Sequence, residues 1–141
     1  MALSAVHHLG LTVANVDVSA AWYESVLGFE RVGAYESPDG SRRKVFLRHD
    51  QLPVRIGLTE HRSGSTTPFD ETRIGLDHLA FRVDSLAELH DWQERLETHD
   101  VRFTPVTVAN SIPGAFVLVL RDPDNIQLEL FFDPTVIVGE A

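Results

Sequence analysis

Two stretches of the chain carry the same alternation of apolar and polar residues. In residues 6–13 every second residue is apolar, and His8 falls on the opposite face. In residues 77–83 the alternation starts again, with His78 in the matching position. A period of two residues is typical of a strand with one buried face. The two stretches therefore predict the first strands of two copies of one structural unit.

A helix and three strands are predicted to follow each of these first strands. Asp17 is the predicted cap of the first helix, and Gly28 follows its end. Ser85 and Glu88 have the spacing of a capping box at the start of the second helix. The remaining strands are expected in residues 29–35, 44–48, 54–59, 101–108, 115–120 and 126–132.

This order predicts an α+β fold, in which two βαβββ modules form a concave mixed sheet. A chain of 141 residues is long enough for one domain with a proper core. We expect module one in residues 5–60 and module two in residues 76–133. The polar segment between them, residues 60–75, is either a linker or a lid over a site.

The last predicted strand contains an acidic residue. Asp122, Pro123 and Asn125 form a turn signal, and alternating apolar residues follow it. Glu129 falls on the face opposite those apolar residues. A carboxylate buried without a partner is costly, so a lone Glu is either solvated or held by another group.

The two histidines and this glutamate form a candidate metal site. If the apolar faces pack on the helices, then His8, His78 and Glu129 all face the concave surface. Two imidazoles and one carboxylate can bind Fe, Mn, Zn or Ni and leave positions open for substrate. His7 is expected to point the other way and to be structural. His61 is a second-rank candidate for an acid or base, and no catalytic residue is identified.

Composition narrows the class of protein. The net charge of −9 argues against binding to nucleic acid or to an acidic membrane. No apolar run has the roughly 18 residues of a membrane span. The first residues lack the pattern of a signal peptide, and the absence of Cys is compatible with a reducing compartment. A cytoplasmic protein without a nucleic-acid or membrane partner is therefore expected.

The two His strands, the helix end at Leu27 and Gly28, and the turn and strand from Asp122 to Leu130 resemble the vicinal oxygen chelate superfamily. This superfamily includes glyoxalase I, bleomycin-resistance proteins and extradiol dioxygenases. The resemblance implies a divalent metal held by His8, His78 and Glu129, and a homodimer. Glyoxalase I has a fourth protein ligand where this chain has Gly57. The dioxygenases use three ligands, which match this chain better.

The resemblance thus implies a metal-dependent enzyme whose small substrate chelates the metal through neighbouring oxygens. A dioxygenase-type reaction is favoured over that of a lyase or isomerase. The alternative is a metal-free binding protein that sequesters a small molecule, as bleomycin-resistance proteins do. A third possibility, a purely structural dimer, has only the apolar tail of residues 135–138 in its favour.

Overall fold

The computed structural model describes residues 1–136 and divides the chain into two compact units, Met1–Thr67 and a second that begins at Pro68. Each unit contains one strand, one helix and three further strands. The first unit contains β1 (His8–Thr12), α1 (Val16–Leu27), β2 (Glu30–Glu36), β3 (Arg42–Arg48) and β4 (Arg55–His61). The second contains β5 (Leu79–Val83), α2 (Leu86–Thr98), β6 (Phe103–Val108), β7 (Phe116–Arg121) and β8 (Gln127–Phe132). The predicted α+β fold of two βαβββ modules is confirmed.

The two sheets have the same strand order, and their parallel strand pairs have the same register. The first sheet runs β1-β4-β3-β2 and the second runs β5-β8-β7-β6. The pairs β1–β4 and β5–β8 are parallel, and the other pairs are antiparallel. Gly10 pairs with Gly57 in the first sheet, and Ala80 pairs with Glu129 at the equivalent place in the second. Gly57 therefore occupies in the first module the position that Glu129 occupies in the second.

The first helix is capped by Asn15, so the prediction of Asp17 as its cap was wrong. Asn15 has extended backbone geometry, and its Oδ1 accepts hydrogen bonds of 3.0 Å from the amides of Asp17 and Val18. Asp17 lies inside the first turn, where its carboxylate binds Arg43 at 2.8 Å. Gly28 ends the helix in the left-handed region at φ 78°, which glycine adopts without strain.

The second helix begins as predicted. Ser85 is its cap, and the Ser85 hydroxyl accepts a hydrogen bond of 3.1 Å from the amide of Glu88. The Glu88 carboxylate accepts from the amide of Asp84 at 2.8 Å. Both side chains therefore satisfy backbone donors that a helix start leaves without partners.

Each unit has an apolar core between its helix and one face of its sheet. Leu58 in the first sheet and Leu128 in the second are fully buried. Tyr23 of α1 and Leu89 of α2 are fully buried as well. The other face of each sheet carries the candidate chemistry. Within residues 1–136, no helix is long and apolar enough to cross a membrane.

The segment between the modules begins later than predicted, because β4 continues through His61, and it also ends later, because β5 begins only at Leu79. Residues 62–78 have no helix or strand. Part of this segment is nevertheless anchored within the second unit: the amide of Phe69 donates to the carbonyl of Asp124 at 2.8 Å. The Asn125 side chain donates back to the carbonyl of Phe69 at 2.9 Å. Of the apolar tail at residues 135–138, residues 137 and 138 lie outside the described residues.

Candidate metal centre

Glu129 lies on the face of β8 that does not pack into the core. Leu128 and Leu130 are buried at 0% and 2% exposure, whereas Gln127 and Phe131 are half-buried on the opposite face with Glu129. The Glu129 side chain is 14% exposed. A carboxylate with so little contact with water needs a compensating charge or hydrogen bonds.

His78 supplies an imidazole partner of this carboxylate. Its Nε2 atom lies 3.6 Å from Oε2 of Glu129, and its side chain is 40% exposed. On the other side of the ring, Nδ1 lies 2.7 Å from Oδ1 of Asp77. An ionised carboxylate can only accept a hydrogen bond, so this contact keeps the proton on Nδ1. In the neutral ring the Nε2 lone pair then points to the side where Glu129 lies.

The His78–Glu129 pair suits a divalent metal. Bonds from imidazole nitrogen or carboxylate oxygen to such an ion are about 2.0–2.2 Å long, so two atoms 3.6 Å apart can share one ion. A carboxylate bound to the second nitrogen of a ligand histidine, as Asp77 is here, is a common outer partner in metal sites. The donor set therefore fits the predicted metal at two of its three ligands.

The third predicted ligand, His8, opens β1 of the first unit. It is exposed, and its Nδ1 lies 2.8 Å from Nδ1 of His7. The two rings meet edge to face, with their centroids 5.1 Å apart. The expectation that His7 points away was therefore wrong: His7 precedes the strand, so the alternation of strand side chains does not apply to it. Within each unit, taken over residues 1–136, no three His, Asp or Glu side chains form a metal-binding group.

A chain of hydrogen bonds extends from Glu129 along its own face of the sheet. Nε2 of Gln127 lies 3.5 Å from Oε1 of Glu129. Oε1 of Gln127 accepts from Nη2 of Arg121 at 2.9 Å. Arg121 also binds both carboxylate oxygens of Glu71, at 2.8 and 2.9 Å. The hydrogen bond from Arg121 lowers the pKa of Glu71 to about 2, so this carboxylate stays ionised at neutral pH.

An open groove of about 520 Å³ lies in the same unit. Val119 lines the groove and is the cross-strand partner of Glu129, so the groove lies on the Glu129 side of the sheet. The lining combines aromatic, charged and hydroxyl side chains: Phe69, Asp70, Glu71, Thr72, Arg102, Phe103, Thr104, Val119, Arg121 and Asn125. The groove can thus hold a small molecule with both polar and apolar parts.

The remaining acid–base candidate lies in the first unit. His61 is the last residue of β4 and is exposed. It lines an open groove of about 470 Å³ together with Glu60 and Arg43, apart from the predicted metal ligands.

Sequence reasoning missed Asp77, Arg121 and Glu71 as residues around the site. Asp77 was detectable, because an acidic residue directly before a candidate ligand histidine is a simple signal. Glu71 was not, because it reaches Arg121 from a segment without periodic structure.

Comparison with protein families gives a match to the family described as the Glyoxalase/Bleomycin resistance protein/Dioxygenase superfamily, over residues 5–130. The chain is 30% identical to the uncharacterized protein YwkD of Bacillus subtilis (strain 168), over 93% of this chain and 98% of that protein. It is also 30% identical to biphenyl-2,3-diol 1,2-dioxygenase 3 of Rhodococcus globerulus, over 89% of this chain but only 62% of the dioxygenase.

Among solved structures, the chain is similar to a glyoxylase/bleomycin resistance protein/dioxygenase domain from Frankia sp. EAN1pec. The TM-score is 0.82 and the identity is 36%, over 93% of this chain and 98% of that domain. The arrangement of two βαβββ modules is thus shared with a solved member of that group.

Proposed function

Because the chain belongs to the Glyoxalase/Bleomycin resistance protein/Dioxygenase superfamily, we propose that it is a divalent-metal-dependent enzyme acting on a small, oxygen-bearing substrate. His8, His78 and Glu129 are the proposed metal ligands. The observation that carries the proposal is the Asp77–His78–Glu129 arrangement, in which one ring nitrogen is held at 2.7 Å and the other faces a half-buried carboxylate at 3.6 Å.

Each residue of this arrangement has a defined task. Asp77 holds the Nδ1 proton of His78 and thereby keeps Nε2 available as a donor to metal. Glu129 supplies negative charge in a site with little water, and Gln127 donates a hydrogen bond to it. When bound, a divalent ion of the Fe, Mn, Zn or Ni type supplies Lewis-acid or oxygen-activating chemistry at its open positions.

The groove beside Glu129 is the proposed substrate space. Phe69, Phe103 and Val119 give it apolar walls, which can hold the apolar body of a small substrate. Thr104 shares the sheet row of Val119 and Glu129, so its hydroxyl can bond a substrate oxygen near the metal side.

A dioxygenase-type reaction is favoured over that of a lyase or isomerase. Gly57 stands where a fourth protein ligand would be, so three protein ligands are proposed. The similarity to biphenyl-2,3-diol 1,2-dioxygenase 3 supports the same choice, although the chain spans under two thirds of that enzyme. A homodimer and a cytoplasmic location are part of the proposal.

The test measures metal content by elemental analysis after purification without chelators. Wild type should carry close to one Fe, Mn, Zn or Ni per proposed site, and Glu129→Ala and His8→Ala should lose it. His61→Ala, which changes an exposed histidine outside the ligand set, is the matched control and should keep its metal. Oxygen uptake with biphenyl-2,3-diol then separates a dioxygenase from a lyase or isomerase.

The opposite result has a clear meaning. If neither wild type nor any variant binds a metal after incubation with each ion, the enzyme proposal fails. The metal-free binding protein would then be the function to pursue.

A further inference from the structure

We propose that Glu71, Arg121 and Gln127 form a positioning relay that sets the orientation of the Glu129 carboxylate from the segment between the modules. This inference rests on the proposed function, because it assigns the relay to a metal ligand. The four side chains lie in one unit and form a chain of hydrogen bonds. Arg121 donates to Glu71 and to Gln127, and Gln127 donates to Glu129.

The sheet register brings the last three members together. Arg121 of β7 is the direct cross-strand partner of Gln127 of β8. Gln127 and Glu129 are two residues apart on one strand, so they lie on the same face. Adjacent positions on one face therefore hold a guanidinium, a carboxamide and a carboxylate in that order.

The chemistry of these groups allows one direction for the relay. A guanidinium can only donate, so the oxygen of the Gln127 amide must face Arg121, as the 2.9 Å contact requires. The amide nitrogen is then left to face Glu129, whose ionised oxygens can only accept. Arg121 thus determines which end of Gln127 is presented to the proposed metal ligand.

Arg121 is itself held from two further sides. Both of its terminal nitrogens bind the carboxylate of Glu71, and Nη1 also donates to the carbonyl of Asn125 at 3.1 Å. Two parallel bonds between guanidinium and carboxylate fix the plane as well as the position of the guanidinium. Without Glu71, Arg121 keeps the contact to Gln127 but loses the partner that fixes its plane.

Glu71 is in turn kept in place by its neighbours in the sequence. Phe69 exchanges two hydrogen bonds with the turn before β8, one with Asp124 and one with Asn125. This contact fixes the segment next to the strand that carries Glu129. The turn before β8 and the segment that carries Glu71 therefore help to position Glu129 through Arg121, in addition to connecting the two modules.

The experiment measures the dissociation constant of Mn(II) by isothermal titration calorimetry. Gln127→Met removes both relay contacts at similar size, and Glu71→Gln removes the charge that holds Arg121. We expect each to weaken Mn(II) binding, Gln127→Met by about 10-fold, in the range of changes to outer partners of metal ligands. Glu30→Gln, which breaks the 2.7 Å ion pair with Arg48 in the first unit, is the control and should bind as wild type does.

The double variant distinguishes a relay from general loosening. If Glu71 acts only through Gln127, then adding Glu71→Gln to Gln127→Met causes no further loss of Mn(II) affinity. Independent losses that multiply would overturn the relay, and so would wild-type affinity in both single variants. If Glu129→Ala keeps wild-type Mn(II) affinity, the proposed ligand set fails and the relay fails with it. Loss in Glu129→Ala with unchanged relay variants overturns the relay alone.

Discussion

The two modules share a hydrogen-bonded frame and differ in the side chains on their open faces. In both, the first strand pairs in parallel with the last; His8 is the first residue of β1, and His78 directly precedes β5. The residue before that histidine contacts its Nδ1 in both modules, but it is His7 in the first and Asp77 in the second. The same frame thus places one histidine beside a second imidazole and the other beside a carboxylate.

The largest difference in side chains lies in one row, that is, one set of residues that pair with each other across neighbouring strands. In the second sheet the row contains Ala80, Glu129 and Val119. In the first sheet the matching row contains Gly10, Gly57 and Phe46. Phe46 is 37% exposed, and its ring lies beside Gly57, 3.8 Å from where a side chain would begin. An aromatic ring therefore lies in the first module where the second has a carboxylate.

This difference separates what the fold needs from what the proposed site needs. The rows that face the core are alike, with Leu58 and Leu130 at equivalent positions. The rows on the opposite face differ, since Phe46 pairs with Gly57 in the first sheet and Val119 pairs with Glu129 in the second. The proposed metal ligand Glu129 belongs to the row that differs between the two sheets.

The largest expected effect tests the likeness of the two cores. Leu58→Ala and Leu130→Ala each remove a side chain that is at most 2% exposed. Each should lower the free energy of unfolding by about 2–5 kcal/mol, because a buried leucine loses its contacts and leaves a cavity. Urea unfolding followed by circular dichroism measures this, and Leu3→Ala, at a fully exposed site, is the control. A loss of stability in only one of the two variants would contradict the likeness of the two cores.

A smaller effect tests the unlike partners of the two histidines. Asp77→Ala removes the anionic partner of His78 and should weaken Mn(II) binding by about 10-fold, since outer partners set the ring orientation and basicity of a ligand histidine. His7→Ala should cause a smaller loss, because His7 contributes no full negative charge. Asp91→Ala, on the exposed face of α2, is the control for titration calorimetry. Equal losses of Mn(II) affinity in Asp77→Ala and His7→Ala would show that the carboxylate partner of His78 has no larger effect than the imidazole partner of His8.

The frame was predictable from the sequence because its signals are local and repeated. Alternation identified β1, β5 and β8, and the glycine and capping signals identified the helix ends. The helix start at Asn15 was missed, because Asn15 and Asp17 are both good caps and only the backbone geometry decides between them. Within the second module, the proximity of His78 and Glu129 follows from parallel pairing of the repeated strands.

The contacts around the proposed site were less predictable. His7 has no strand pattern that aims its ring, and its contact with His8 depends on the path of the chain before β1. Arg121 and Gln127 are six positions apart in sequence, and only the register of β7 and β8 makes them partners. Glu71 joins them from an aperiodic segment. Such contacts depend on tertiary geometry, which no short pattern encodes.

The smallest expected effect tests whether Gly57 is needed by the frame or only replaces a ligand. A side chain at this position would meet Phe46 and the carbonyl of Leu9 at 3.8–3.9 Å, which are ordinary contacts. Gly57→Ala should therefore raise the free energy of unfolding by about 0.5–1 kcal/mol, because alanine loses less backbone entropy in a strand. Gly28→Ala, at φ 78°, should lower it instead. A destabilised Gly57→Ala would mean that the packing of Phe46 requires glycine at this position. The absence of a carboxylate from the first module would then be explained by packing.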